Sequence, residues 1–336
     1  MKKSILLLLL CALLSLAGCK REGTLEKETS GREEKHQRIF QIDGLGNGDA
    51  KLADKNTVVT SIGSSLTFIK NGEIAKQYED IHVNWLDTVR EERLIVYSNW
   101  DKEVGILRYD EDFNIVSNDI CLKESGDLGI DPCLCRAGSV YYITVTHIEG
   151  VINNGDINGE NGKYTVSLYK TENLKNWEKV SDIITMNNNL EDGDLNFFHG
   201  KLYFTYEKEE CDKGRSSINL LISQDGGLTF SDNITLVEEN ADNEPAGIIY
   251  DNETYYLFYS SDKENKGESY EGANMYMQSY GSDFTLRDKP VKLECEYGEG
   301  ILFYDMLWEK DNLYCLFAGN YITQNNLVLE KLYLNR

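Results

Sequence analysis

Glu253-Thr-Tyr-Tyr-Leu-Phe-Tyr259 decides the fold, because the chain repeats it. Ser139-Val-Tyr-Tyr-Ile-Thr-Val145, Lys201-Leu-Tyr-Phe-Thr-Tyr206 and Asn312-Leu-Tyr-Cys-Leu-Phe317 have the same β-branched and aromatic content. Each follows a polar turn: Asp251-Asn252, Arg136-Ala-Gly138, His199-Gly200 and Lys310-Asp311. Such runs fit the pleated, half-buried surface of a strand. No stretch from Ile39 onward keeps apolar residues at helical spacing. A strand precedes each turn and further runs follow, so the unit is a four-stranded meander recurring about every 50 to 60 residues. A repeat of that length predicts an all-β propeller with four-stranded antiparallel blades. Units open near Asn84, Asp131, Asp192, Glu244 and Phe303, and residues 57–78 supply three more strands. The last unit holds only three, so an early strand at Arg38–Ile42 should complete it. The total of about 23 strands favours six blades over five, and equivalent turns at constant period argue against a sandwich.

Ahead of the repeat, Met1-Lys2-Lys3 and an apolar run from Ile5 to Ala17 form a secretory signal, too short to span a bilayer. It ends Leu16-Ala17-Gly18-Cys19, which resembles the bacterial lipoprotein processing box. That resemblance implies removal of residues 1–18, a lipid on Cys19, and attachment to the cell membrane or outer membrane on an extracytoplasmic face. Lys20–Arg38 has almost no apolar residue and reads as a charged, disordered tether, leaving 39–336 as one propeller domain. The chain has 34 basic and 57 acidic side chains and a formal charge of −23. That balance excludes a nucleic-acid partner, which needs a basic surface. A monomer is expected.

Ser223-Gln-Asp225-Gly-Gly227-Leu-Thr229-Phe230 matches the Asp-box pattern, Ser-x-Asp-x-Gly-x-Thr-aromatic. The carboxylate of Asp225 should accept N–H bonds across the turn, while Gly227 takes positive φ and Phe230 packs between sheets. Looser versions stand at Thr171-Glu-Asn-Leu-Lys-Asn-Trp177, Asp110-Glu-Asp-Phe113 and Gly281-Ser-Asp-Phe284. The box resembles those of bacterial sialidases. The Asn-Leu-x-x-Trp version looks more like turns of arabinanase- and xylosidase-type propeller glycosidases. The box is structural and does not identify an active site.

The first strand of each blade lines a propeller's channel, and acidic residues gather at those strands. Asp131-Pro132 opens one unit, Glu191-Asp192-Gly-Asp194 the next, and Glu244-Pro245 the third. Proline is tolerated at a strand's first residue, and period two puts Asp192 and Asp194 on one face. Three blades would thus project carboxylates into one funnel. This resembles the Asp, Asp, Glu trio of the arabinanase/xylosidase-type glycosidases. The resemblance implies Asp131 as general base, Asp192 or Asp194 as the group orienting the acid, and Glu244 as general acid. An inverting pair would stand roughly 6.5–9.5 Å apart, to admit a water. Trp85, with Asn84 and Asp305, is the candidate sugar-binding set. The arginine-containing opening motifs of those families are absent.

Sialidase activity is disfavoured, because that family grips a substrate carboxylate with three arginines. Here Arg90, Arg93 and Arg136 read as turn residues and Arg108 as an outer-strand residue. Six cysteines remain past Cys19, in an oxidising location, with no readable pairing. No zinc site or cofactor is expected, and the four histidines are isolated. The loop through Asp156 and Glu160 partly resembles a calcium loop but lacks its twelfth-position glutamate, so it reads as a rim loop with Ca²⁺ as the alternative. The sequence therefore points to an envelope lipoprotein that handles glycan, foremost as a glycoside hydrolase. A non-catalytic glycan-binding or scaffolding lipoprotein and an inactive sialidase relative are the alternatives.

Overall fold

In the computed structural model, residues 36–334 are described, apart from 47, 124–127, 150–161, 188, 210–213, 265–271 and 298. The signal segment, Cys19, most of the tether, Cys211 and the Asp156–Glu160 loop lie outside the described residues.

Tyr255, Leu257 and Tyr259 pack with Tyr203, Ile218 and Leu220 of the preceding sheet. The alternate residue Phe258 packs with Phe303 and Phe317 of the following one. Strand alternation therefore gives every sheet two buried faces, which is why these runs are apolar at nearly every position. The other repeats behave alike. Leu202, Phe204 and Tyr206 face one neighbour and Tyr203 the other. Leu313, Cys315 and Phe317 face one, Tyr314 and Leu316 the other. The described residues form six hydrophobic clusters, each shared by two adjacent sheets.

The sheets are six, each antiparallel and four-stranded, so the fold is a six-bladed propeller. Blades I to V use consecutive strands, with innermost members Ala50–Asp54, Trp85–Val89, Leu128–Ala137, Asn189–Phe198 and Asn243–Asp251. Blade VI opens at Ile301–Glu309 and is completed by the first strand, His36–Ile42, which pairs with Asn326–Tyr333. Blade VI thus joins the first and last described strands, and that closing strand begins at His36, inside the segment read as tether. The strand missing from the sequence count is Ala50–Asp54. Ala, Lys and Asp are poor strand formers, and only Ala50 and Leu52 of its five residues are buried.

The Asp-box-like turns join third to fourth strands. Asp225 Oδ1 accepts from Ser223 Oγ at 2.8 Å and Thr229 N at 3.0 Å, and Oδ2 from Thr229 Oγ1 at 2.6 Å. These bonds pull the Asp225 carboxyl down to about 2. Phe113, Leu174 and Phe284 take positive φ in the equivalent turns. The described cysteines Cys121, Cys133, Cys135, Cys295 and Cys315 form no disulfide.

Candidate functional site

Each innermost strand turns one edge to the channel, where no further strand can satisfy its backbone groups. Acidic side chains meet part of that need. Asp49 Oδ2 accepts from Leu86 N at 2.7 Å, Asp87 Oδ2 from Leu134 N at 2.8 Å, and Asp131 Oδ2 from Asp192 N at 3.2 Å. Asp194 Oδ2 accepts from Ile248 N at 2.9 Å and Asp305 Oδ2 from Leu52 N at 2.7 Å. Every one of these bonds joins a blade to the next, so the carboxylates stitch the ring around its axis.

At one end the channel widens into an open pit of about 410 Å³, bordered by Asp49, Trp85, Trp100, Asp131, Asp192 and Tyr304, among others. Asp131 and Asp192 reach it by the same device. The ladder of blade III slips between Ile130 and Cys133, and that of blade IV between Glu191 and Asp194. At these bulges Asp131 has φ +46° and Asp192 φ +48°, a conformation aspartate tolerates better than most residues. Pro132 sits inside the first bulge, where its missing N–H costs no ladder bond.

The bulge also separates Asp192 from Asp194, correcting the expectation that they share a face. Period two fails across the slip. Asp192 borders the pit, whereas Asp194 lies toward the other mouth, binding Ile248 N and Asn196 Nδ2. Burial, first, and then the nearby Asp87 charge push the Asp194 carboxyl up to about 6.

Glu244 stands one layer behind the pit surface, 3% exposed. It meets Asp192 of blade IV and Glu207, which projects from the second strand of blade IV and is 1% exposed. Carboxylate oxygens of Asp192, Glu207 and Glu244 all lie within 4.8 Å of one another. Glu244 thus lies against both partners. Burial, reinforced by the neighbouring acids, holds the carboxyls of Glu207 and Glu244 well above the usual carboxylate range. Asp131 is likewise pushed well up, by burial first and then by the Asp192 and Asp49 charges.

Lys51, which nothing in the sequence singled out, borders both mouths of the channel. Burial pulls its ammonium down, but Asp49, Asp87, Asp305 and Asp194 more than offset this, so its pKa is raised and it stays charged. Arg90 lies in the turn between two strands of blade II, as read, and from there pairs with Asp305 at the far mouth and donates to Leu52 O at 2.8 Å.

Of the candidate sugar-binding residues, Trp85 borders the pit and meets Trp100 edge-on, with ring centroids 5.0 Å apart. Asn84 is also there, but its side chain ties loops together, donating to Ser64 Oγ at 3.3 Å and accepting from Trp100 N at 3.2 Å. Asp305 is not in the pit. Blade VI slips between Phe303 and Asp305, which turns that carboxylate to Arg90 and Leu52 N. Glu207, Asp49, Lys51 and Trp100 were missed. Trp100 alone left a signal, as an aromatic residue in a polar turn two residues after a strand.

Residues 127–323 match the sequence profile of glycosyl hydrolases family 43. No curated protein sequence matches the chain. Among solved structures, an α-L-arabinofuranosidase from Fusarium graminearum bound to an iminosugar inhibitor superposes with a TM-score of 0.57 at 11% identity, over 89% of this chain and 98% of that one. A β-1,2-mannobiose phosphorylase from Listeria innocua gives 0.49 at 14% identity, over 90% and 92%. An α-L-arabinanase from Penicillium chrysogenum with arabinobiose gives 0.49 at 13%, over 71% and 89%. At such identities the likeness concerns the fold.

Proposed function

The chain belongs to glycosyl hydrolases family 43, and from that premise we propose that it hydrolyses glycosidic bonds at the pit, with Asp131 as general base and Glu244 as the proton source. The observation that carries this reading is the grouping of carboxyls from three successive blades. Asp131 and Asp192 border one pit, and Glu244 lies just behind it with a carboxylate oxygen within 4.8 Å of one of Asp192. In the reaction Asp131 takes a proton from the water that attacks the anomeric carbon. The bond from that carbon to the leaving oxygen breaks, and that oxygen receives a proton that Glu244 supplies by way of Asp192, which stands between Glu244 and the pit. Asp192, between Glu244 and the pit, orients the acid. Its negative charge favours retention of the proton until the leaving oxygen develops charge. Enzymes of this family generally work without a cofactor.

The substrate class follows from charge. Asp49, Asp131, Glu191 and Asp192 all border the pit, against Lys51, which is already surrounded by carboxylates. An anionic sugar would be repelled, so neutral glycans are the substrates, with Trp85 and Trp100 as stacking surfaces. Neutral pentosides and hexosides should release sugar where the matching uronides release none. Hydrolysis of uronides at comparable rates would refute the electrostatic argument.

The decisive test compares leaving groups. Glu244→Gln should lower kcat/KM on an unactivated glycoside by about 10²–10⁴-fold, and far less on an aryl glycoside whose leaving group needs no proton. Asp131→Asn should depress both. Wild-type protein that binds neutral oligosaccharides yet releases no sugar would instead mark a glycan-binding protein without turnover.

We also propose that the protein is a lipoprotein acting as a monomer, held at the extracytoplasmic membrane surface through Cys19. The Leu16-Ala-Gly-Cys19 box supports this. Cys19→Ser should move the protein from membrane to soluble fractions and abolish incorporation of labelled fatty acid. Unchanged fractionation would overturn the assignment.

A further inference from the structure

Glu207 occupies a position that packing alone would give to an apolar side chain. On its strand, Tyr203, Thr205, Glu207 and Glu209 point the same way, and Tyr203 packs in the cluster shared with blade V. Burying a carboxyl there opposes folding unless the group is protonated or firmly hydrogen-bonded. What it meets is Glu244, in the trio whose oxygens lie within 4.8 Å of one another. Three carboxylates cannot all be ionised in such a space, so the trio holds at least one proton near neutrality. Glu207 and Glu244 are the buried members and Asp192 the one bordering the pit. A proton on Glu244 therefore has a carboxylate acceptor on each side: Asp192 toward the pit and Glu207 behind.

We propose that Glu207 is a positioning residue for the reaction, gripping the Glu244 carboxyl from behind so that it stays a proton donor between turnovers. This rests on the reading of Glu244 as the acid. Glu207 touches no substrate and acts only through Glu244. Once Glu244 has given up its proton, its new carboxylate lies against a second negative group, which favours its reprotonation from solvent by way of the pit. The groups facing Glu207 reinforce this. Glu209 comes from its own strand, Asp192 from the innermost strand of blade IV, and Glu244 and Asp242 from blade V and the turn before it. All are acidic, and burial with their charges lifts the Glu207 and Glu244 carboxyls together.

Glu207→Gln keeps the shape and hydrogen-bonding reach but removes the charge, so it separates this role from a packing role. On an unactivated neutral glycoside its high-pH limb of kcat/KM should move down by about one unit or more. That is roughly a tenfold loss on the alkaline side, with little change near pH 5. An aryl glycoside with a good leaving group should show no such shift, and Glu207→Asp should restore part of the limb. Profiles of E207Q and wild type that coincide at every pH would overturn the proposal. Infrared titration of protein carrying isotope-labelled glutamate gives a readout independent of turnover. The carbonyl band of a protonated carboxyl should persist at pH 7 in wild type, lose intensity in E244Q, and titrate at lower pH in E207Q. If wild type hydrolyses nothing but shows this pattern, the glycosidase reading fails while the proton arrangement stands. If the band is absent from wild type at pH 7, the arrangement itself is wrong, whether or not E207Q folds.

Discussion

Lys51 is the residue on which the channel's electrostatics turn. Its ammonium faces Asp49, Asp87, Asp194 and Asp305, and each of those carboxylates also accepts an N–H from a neighbouring blade. Removing the cation would leave the inter-blade hydrogen bonds intact but the charges uncompensated. Lys51→Met, similar in length, should cost about 3 kcal/mol at pH 7, the order found when one partner of a buried ionic group is deleted. Asp49, Asp87 and Asp194 already have raised pKa values, and without Lys51 they would rise further, so protonation should relieve much of the loss by pH 5. Denaturant titrations at the two pH values check this, and an equal loss at both would refute it. Residues of this kind divide sharply in legibility. Asp131 and Glu244 stand out in the sequence because each precedes a proline at the opening of a unit. Lys51 and Glu207 do not, because a charged residue in a strand ordinarily faces solvent and only the packed neighbours reveal its burial.

Strands set the directions of these side chains, and the slips in their ladders matter more than their lengths. Blades III, IV, V and VI each carry a slip in the pairing of their innermost strand, at Ile130/Cys133, Glu191/Asp194, Pro245/Gly247 and Phe303/Asp305. These put Asp192 at the pit and Asp194 and Asp305 at the other mouth. In blade V the slip ends at Gly247, with φ +139°, where an added Cβ would stand 2.8 Å from Asp194 Oδ2 and 3.1 Å from Met306 Cε. Gly247→Ala should therefore destabilise by about 1–3 kcal/mol through backbone strain and displacement of the carboxylate that binds Ile248 N. The change is to be read as a lowered denaturation midpoint, with KM on a neutral glycoside unaltered because Gly247 is away from the pit. A midpoint equal to wild type would show that the slip relaxes freely. The alternation that located the strands could not locate these slips. A bulge adds one residue without changing composition, so a strict period of two misplaced Asp194 while correctly finding the strand that holds it.

At the scale of the whole molecule, the ring of blades is what the repeat made legible, and its charge follows from that geometry. Six units facing one axis bring acidic residues from distant parts of the chain together, in a protein whose formal charge is −23. Asp49, Asp87, Asp131, Asp194, Glu207, Glu244 and Glu330 all have raised pKa values, with burial the largest cause in each. A carboxyl whose folded pKa exceeds its unfolded one favours folding fully below the unfolded value, and that contribution is lost as pH rises through the folded value. For Asp194, raised from 3.8 to about 6, the loss is on the order of 3 kcal/mol by pH 7. The opposite group, Asp110, Asp182, Asp225 and Asp283, has lowered pKa values, so its stabilisation is present above about 4 and fails only in stronger acid. The two trends leave a stability maximum on the acidic side of neutrality, and the thermal midpoint should rise as pH falls from 7.5 to about 5. Self-repulsion of the net charge changes in the same direction, but added salt screens exposed charges far more than buried ones. The rise should therefore survive in about 1 M salt, and Asp194→Asn should flatten part of it. A midpoint that falls between pH 7 and 5.5 would mean that the channel's carboxyls are ionised without penalty, and the electrostatic account of the pit would fall with it.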